Sequence, residues 1–118
     1  MTRRRTPASS RRPPGPELLE LVAGRFRALA EPARLAILQA LHDSEHTVTE
    51  LVEATGLTQA NLSRHLQQLL ATGFVRRRRE GLFAYYALAD TDVLALCDIM
   101  CSRVEGDVAR HRKAVSGG

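Results

Sequence analysis

The sequence predicts a mostly α-helical protein with one small β-hairpin, and three observations along Thr47–Leu88 carry this prediction. Two short amphipathic helix patterns follow each other closely, the second starting near Thr58. Four arginines, Arg76–Arg79, then lead into Glu80-Gly81 and an aromatic return strand, as in a hairpin. This order predicts a winged helix-turn-helix of about five helices and a two-stranded wing, which docks one helix in the DNA major groove.

Length and charge set the class of protein. The 118 residues suffice for one domain with a buried core. The formal net charge is +4, but residues 1–16 hold five arginines and no acid, so the rest of the chain is slightly acidic. A field that attracts DNA must therefore come from local clusters such as Arg76–Arg79. No long apolar run is present, which excludes a spanning helix and a signal peptide and predicts a cytoplasmic protein without a membrane partner.

Two helices are predicted ahead of the helix-turn-helix. Apolar residues recur at helical spacing from Leu18 to Leu29, with Pro16 suited to the first turn. Pro32 interrupts this pattern and starts the second helix, so we expect a sharp joint near Glu31.

Capping signals delimit the third and fourth helices. Thr47 and Glu50 have the spacing of a capping box, which begins the third helix at Thr47. Gly56 is suited to end that helix in the left-handed conformation. Thr58 can cap the fourth helix, and Gly73 can end it.

A fifth helix is predicted from a cap at Asp90 or Thr91 to about Arg112. The composition before the first helix, rich in Arg, Ser and Pro, is typical of disorder, either as a solvated tail or as an arm that contacts phosphates. We therefore expect a disordered basic tail, a winged helix-turn-helix domain and a flexible end, over residues 1–16, 17–112 and 113–118.

The hairpin is predicted to have one core face and one outward face. With Glu80-Gly81 as the loop, Arg78 lies opposite Phe83. Arg76 then lies opposite Tyr85, so both arginines point outward along aromatic rings and within reach of phosphates. The core face holds Val75, Tyr86 and Leu88.

The fourth helix carries the candidate base-reading residues, because its leucines lie on one side and its polar residues on the other. Arginine suits guanine, and glutamine or asparagine suits adenine. The alternatives are an ordinary solvated face for the helix, a backbone hydrogen bond for His65, and an edge that resists strand pairing for the arginines. The candidate DNA-binding residues are Thr58, Gln59, Asn61, Ser63, Arg64, His65 and Gln67 in the helix, and Arg76 and Arg78 in the wing.

Three segments resemble the ArsR/SmtB family of bacterial metal- and stress-responsive repressors. They are ALAEPARLAIL at 28–38, LTQANLSRHL at 57–66 and REGLFAYYAL at 79–88, in the family's order. The resemblance implies a homodimer built on the first and last helices, which binds a near-palindromic double-stranded DNA operator and is released by an inducer. It argues against an enzyme, and the sequence holds no evident catalytic triad or phosphate loop.

The family's inducer sites do not all carry over. The Cys-x-Cys pair of its arsenic-type site corresponds here to Thr47 and Thr49, so that site is absent. Asp90 and Asp92 match the first two ligands of its zinc-type site, but the later ligands fall near Arg103 and Gly106, which do not bind metal, so a standard zinc site is not expected. A variant site would use His111 with Glu105 or Asp107, at a spacing that differs from that of the family.

Cys97 and Cys101 are the alternative sensor. They are four residues apart on the last helix, so their thiols share a face, and the implied dimer would bring four sulfurs together. Thiolates bind arsenite and other soft ions such as Cu(I), which makes both residues candidate metal ligands. Two other interpretations stay open: a sensor of oxidants or reactive sulfur, or inert packing in a constitutive DNA-binding regulator.

Overall fold

The computed structural model describes residues 12–116, and within this range the chain forms five helices and a three-stranded sheet. The expectations for residues 1–11, which make up most of the basic tail, and for residues 117 and 118 lie outside the described part. The elements in chain order are α1 (Pro16–Leu29), α2 (Pro32–Ala40), β1 (His46–Thr47), α3 (Val48–Thr55), α4 (Gln59–Ala71), β2 (Val75–Glu80), β3 (Phe83–Leu88) and α5 (Asp92–Ser116).

The helix boundaries follow local chemistry. Pro16 and Pro32 each lie in a first helical turn, where a missing backbone N–H costs nothing. Between those helices, Glu31 adopts an extended conformation, which confirms the predicted joint. At the other end of the chain, α5 continues to Ser116, past the expected end near Arg112.

The helix-turn-helix has the predicted caps. Thr47 and Glu50 form a reciprocal capping box, with N···O distances of 2.9 and 3.2 Å. Gly56 ends α3 with a φ of 76°, which favours glycine. The Thr58 hydroxyl then accepts a hydrogen bond from the Asn61 backbone N–H at 3.2 Å and begins α4.

The core lies between α2, α3, α4 and the sheet. The strands and the start of α5 close it with Val75, Tyr86, Leu88 and Val93. Full burial of one such aliphatic side chain stabilises the fold by about 1.5–3 kcal/mol. The largest fully buried side chains are Ile37, Leu38, Leu51, Leu62, Leu66 and Leu69.

The hairpin loop differs from the prediction. The strands pair through Glu80 and Phe83, which leaves Gly81-Leu82 as the two-residue loop in place of Glu80-Gly81. Gly81 has a φ of 62°, and a two-residue hairpin turn with one positive φ takes glycine at its first position. The predicted loop was therefore wrong by one residue, and the predicted register by two.

The shift of two residues keeps every side chain on its expected face, because the faces of a strand alternate with a period of two. Arg78 nevertheless lies opposite Tyr85 instead of Phe83, and Arg76 lies opposite Ala87 instead of Tyr85. The predicted core face of Val75, Tyr86 and Leu88 is confirmed, since all three residues are buried.

The sheet also contains a strand that the sequence did not predict. β1 pairs antiparallel with β3, His46 opposite Tyr86 and Thr47 opposite Tyr85, and gives the strand order β1-β3-β2. This pairing joins the base of the wing to the start of α3.

Helices α1 and α5 leave apolar side chains in solvent. Leu21 and Ile99 are each 70% exposed, and Phe26 and Met100 are more than half exposed. Exposed apolar groups on two neighbouring helices are typical of a surface that a partner covers. No helix in the described range has both the length and the apolarity to cross a membrane.

Candidate DNA-binding surface

Helix α4 separates an apolar side from a polar side, and this separation builds the candidate surface. Leu62, Leu66 and Leu69 are at most 1% exposed and hold the helix on the core. The opposite side is exposed and carries the predicted reading residues Thr58, Gln59, Asn61, Ser63, Arg64 and Gln67.

The first turn of α4 is organised for contact with an acceptor-rich ligand. The Arg64 guanidinium donates a hydrogen bond to the Asn61 side-chain oxygen at 3.4 Å, so these two exposed groups lie side by side. The free backbone N–H groups and the positive end of the helix dipole lie at the same end. Arginine and asparagine donors in this arrangement suit base edges or phosphates.

His65 requires a correction, because the structure places it away from the candidate surface. Its side chain is 4% exposed and faces the core. Its Nδ1 accepts a hydrogen bond from Arg34 Nε at 3.1 Å. Burial, followed by the nearby charges of Arg64 and Arg34, lowers the pKa of His65. A neutral, buried imidazole cannot reach DNA, so His65 leaves the set of reading candidates.

Arg78 stacks on an aromatic ring in the wing, with its guanidinium carbon 4.6 Å from the centre of the Tyr85 ring. Its Nε also donates to both carboxylate oxygens of Glu45 at 3.0 Å, and the guanidinium forms a second ion pair with Glu80. These hydrogen bonds raise the pKa of Arg78, and the bond from Arg78 lowers the pKa of Glu45. Two carboxylates therefore already hold the charge of Arg78.

Arg76 is exposed, but its guanidinium bonds back to the protein. It donates to the backbone oxygen of Leu88 at 3.0 Å and to that of Ala89 at 3.5 Å. These bonds fix the end of β3 while leaving the rest of the guanidinium open to solvent.

Arg77 and Arg79 are not among the predicted contacts, because alternation places them on the same face of the hairpin as Val75. Only Val75 of β2 is buried, because the wing projects beyond the core and both of its faces meet solvent. Arg77 and Arg79 are both exposed, and in the described part of the chain their guanidinium groups form no hydrogen bond or ion pair with another residue, although their backbones pair with β3. The length of the hairpin could have indicated the exposure of Arg77 and Arg79. Only the first residue of β2 packs on the core, so the rest of a six-residue strand extends into solvent on both faces.

The two cysteines lie at a separate site. They line a cavity of about 660 Å³ between α1, α2 and α5, together with apolar side chains including Phe26, Leu96 and Met100. Cys97 is half-buried, Cys101 is exposed, and both thiols are free. Burial raises the pKa of Cys97, with smaller effects from Cys101 and Asp98. Among residues 12–116, no three His, Cys, Asp or Glu side chains of one chain are placed to hold a metal ion.

Comparison with known proteins places this architecture in a family. The family model for bacterial regulatory proteins of the arsR family matches residues 31–77. The nodulation protein NolR of Rhizobium meliloti is 38% identical over 88 residues, which cover 75% of this chain and 71% of NolR. The chain belongs to the ArsR/SmtB family.

A second relative supports this membership of the ArsR/SmtB family. The transcriptional repressor SmtB of Mycobacterium tuberculosis is 42% identical over 78 residues, which cover 66% of this chain and 58% of SmtB. This chain therefore spans less than two thirds of that relative's length. SmtB carries the name of a transcriptional repressor of the helix-turn-helix type.

Solved structures confirm the winged helix-turn-helix fold. The crystal structure of Rv0081 from Mycobacterium tuberculosis has a TM-score of 0.70 and 36% identity, covering 81% of this chain and 99% of that chain. The homodimeric winged helix-turn-helix DNA-binding domain Mb0332 of Mycobacterium bovis has a TM-score of 0.71 and 35% identity, covering 80% and 87%.

Proposed function

We propose that the protein is a homodimeric transcriptional repressor that binds a double-stranded DNA operator through α4. The observation that carries this proposal is the exposed polar side of α4, held outward by a fully buried leucine side. A helix of this kind fits the major groove, where its polar groups meet base edges. Arg64, Asn61 and Gln59 are the proposed base readers.

The wing supplies the proposed phosphate contacts. Arg76 and Arg78 remain proposed contacts, each sharing its guanidinium with groups of the protein. Arg77 and Arg79 join them, because both are exposed and neither guanidinium group is paired with another group in the part of the chain that the structure describes. Contacts of this kind position a protein on DNA without reading the sequence.

The exposed apolar surface of α1 and α5 is the proposed dimer interface. A 25-residue helix that buries Val93 and half-buries Leu94 and Cys97 has most of its apolar side chains left over for packing against a partner. The related Mb0332 domain is homodimeric. Two-fold symmetry of such a dimer would present two copies of α4 to the two halves of a palindromic operator.

The proposed inducer is a thiophilic metalloid or metal ion, such as arsenite, bound by Cys97 and Cys101. The two thiols open on one cavity between α1, α2 and α5, so a bound ion would act on the proposed dimer helices. Burial raises the pKa of Cys97 and so disfavours the thiolate that metal binding and oxidation both require, which means that this shift does not separate an ion from an oxidant as the inducer.

Salt dependence tests the DNA-binding proposal. The logarithm of the affinity for the protein's own promoter DNA should fall linearly with the logarithm of salt concentration, by roughly 0.9 per phosphate contact. Fluorescence anisotropy with a labelled duplex measures this slope. A protein that binds no duplex at low salt would contradict the proposal and favour a protein-interaction module with a winged helix fold.

The inducer proposal needs its own test. Arsenite should release the reduced wild-type protein from promoter DNA, while the variant Cys97→Ser/Cys101→Ser should stay bound with its basal affinity unchanged. Arsenite-induced release of the double variant would place the sensor elsewhere. Release of the wild type by peroxide or polysulfide, with no response to arsenite, would favour a thiol-redox sensor, and no response to any of these reagents would favour inert cysteines.

A further inference from the structure

His65 and Arg34 form a polar connection that the proposed DNA contacts do not use. Apart from the tyrosine Tyr86, His65 is the one residue with a polar side chain that is buried in the described part of the chain. A buried polar group is costly to the fold unless a partner satisfies it, so its partner is informative. That partner is Arg34, in the first turn of α2.

The half-buried Arg34 connects two helices through one guanidinium. Its Nε donates to His65 Nδ1 at 3.1 Å, and its Nη1 donates to the backbone oxygen of Ala28 at 3.2 Å. Ala28 lies in the last turn of α1, where carbonyl oxygens lack a partner within the helix. The rigid, planar guanidinium thus joins the end of α1 to the middle of α4.

The position of His65 on α4 makes this connection relevant to DNA. His65 directly follows the exposed Arg64, and consecutive side chains differ in direction by about 100° around a helix. A rotation or shift of α4 that strains the bond to Arg34 would also displace Arg64 and Asn61.

We propose that Arg34 and His65 are positioning residues that hold α4 at a fixed orientation relative to α1, and so connect the proposed dimer helix to the DNA-reading surface. This inference rests on the proposed function. It assigns neither residue a contact with DNA. It predicts that Arg34 and His65 affect the specific binding of promoter DNA more than the non-specific binding of any DNA duplex.

The connection depends on a neutral imidazole. His65 Nδ1 accepts the bond from Arg34, so the proton of the neutral ring is on Nε2. Protonation of Nδ1 would remove the acceptor and set one cation against another. The charged groups that act on His65 are Arg64 and Arg34, which oppose protonation, and Glu31, which favours it. Because burial lowers the pKa of His65, the connection persists at neutral pH and is lost as the pH falls below about 6.5 through that lowered value.

The test compares the affinity of the full chain for its own promoter DNA with that for a scrambled duplex of equal length. Arg34→Met and His65→Leu should each lower promoter affinity about tenfold, which corresponds to about 1.4 kcal/mol. Affinity for the scrambled duplex should change less than about twofold. The double variant should lose no more than either single variant, because both remove one interaction. Arg27→Met, which removes an equal charge from α1, serves as the control.

The wild-type protein and a conservative variant keep the test decisive if His65→Leu fails to fold. His65→Asn retains an acceptor but cannot titrate, so it should retain more discrimination than His65→Leu. The ratio of promoter to scrambled affinity in the wild type should fall as the pH is lowered from about 7.5 through the lowered pKa of His65, which an NMR titration of the His65 ring locates, while that of His65→Asn stays constant.

The outcomes separate this inference from the proposed function. The positioning role would be overturned if the ratio of promoter to scrambled affinity were unchanged in folded variants. It would also be overturned if the losses of the two single variants added in the double variant, or if His65→Asn showed the same pH dependence as the wild type. Equal loss on both duplexes would also overturn it, because that result would make Arg34 a phosphate contact. A wild-type protein that binds neither duplex would instead contradict the proposed function.

Discussion

Arg64 is the residue whose role in DNA reading follows most directly from its position. Its side chain is exposed, lies beside Asn61, and lies on the side of α4 opposite the buried leucines. We expect Arg64→Ala to weaken promoter binding by about 1–3 kcal/mol, as for the loss of a bidentate arginine contact to guanine. The free energy of unfolding should hardly change. Anisotropy titrations measure the promoter affinity, and urea denaturation measures the free energy of unfolding, with Arg103→Ala as the charge-matched control. An unchanged promoter affinity in Arg64→Ala would remove Arg64 from the site.

The wing arginines separate into two pairs by their contacts. We expect Arg77→Ala/Arg79→Ala to lower the slope of log affinity against log salt by roughly two phosphate contacts, because neither guanidinium group has an ion-pair partner among residues 12–116. Arg78→Ala should lower the slope less, since Glu45 and Glu80 already neutralise that charge. Salt titrations of the variants measure these slopes. A larger effect from Arg78 than from the other pair would show that DNA phosphates displace the two carboxylates.

Single residues were predictable from the sequence where local spacing decides their surroundings. The exposure of Arg64 and Gln67 follows from the 3.6-residue period of a helix that buries leucines, and that of Gln59 from its place as the first residue of α4. His65 was not predictable, because its partner Arg34 is 31 residues away in the chain. Arg77 was assigned to the core face by alternation, which holds only as far as the core extends.

At the scale of elements, the capping box of α3 gives a quantitative test. Thr47 satisfies a backbone N–H at the start of α3, and α3 supports α4 through Leu51. We expect Thr47→Ala to lower the free energy of unfolding by about 1 kcal/mol, with Thr47→Ser near the wild type. Urea denaturation measures both variants. Equal stability of Thr47→Ala and the wild type would mean that the cap does not stabilise the domain.

Helices were easier to predict than strands because their signals are local. Caps, prolines and the Gly56 terminator fix α1 to α4 from neighbouring residues alone. The short strand β1 forms only because β3, about 40 residues later, passes beside it. The hairpin register likewise depends on the position of Gly81, with its positive φ, in the two-residue loop. Glu80-Gly81 and Gly81-Leu82 both place a glycine in the loop, so the sequence hardly distinguishes between them.

For the whole molecule, the dimer is the feature on which operator binding depends. Leu21 and Ile99 are exposed on α1 and α5, so glutamate at both positions should spare the protomer fold while charging the proposed interface. We expect Leu21→Glu/Ile99→Glu to be monomeric and to bind promoter DNA at least about a hundredfold more weakly, because paired half-sites no longer act together. Light scattering measures the mass, and Leu21→Met/Ile99→Met is the apolar control. A dimeric glutamate variant would place the interface on another surface.

The central claim is that the exposed side of α4 reads a specific DNA sequence. The most direct test is the ratio of affinities of the reduced wild-type protein for its own promoter DNA and for a scrambled duplex, at one fixed salt concentration near the physiological value. A repressor of this kind should prefer the promoter by at least about a thousandfold. Equal affinities for the two duplexes would contradict the claim, because the arginines of the wing would then attract DNA without any reading by α4.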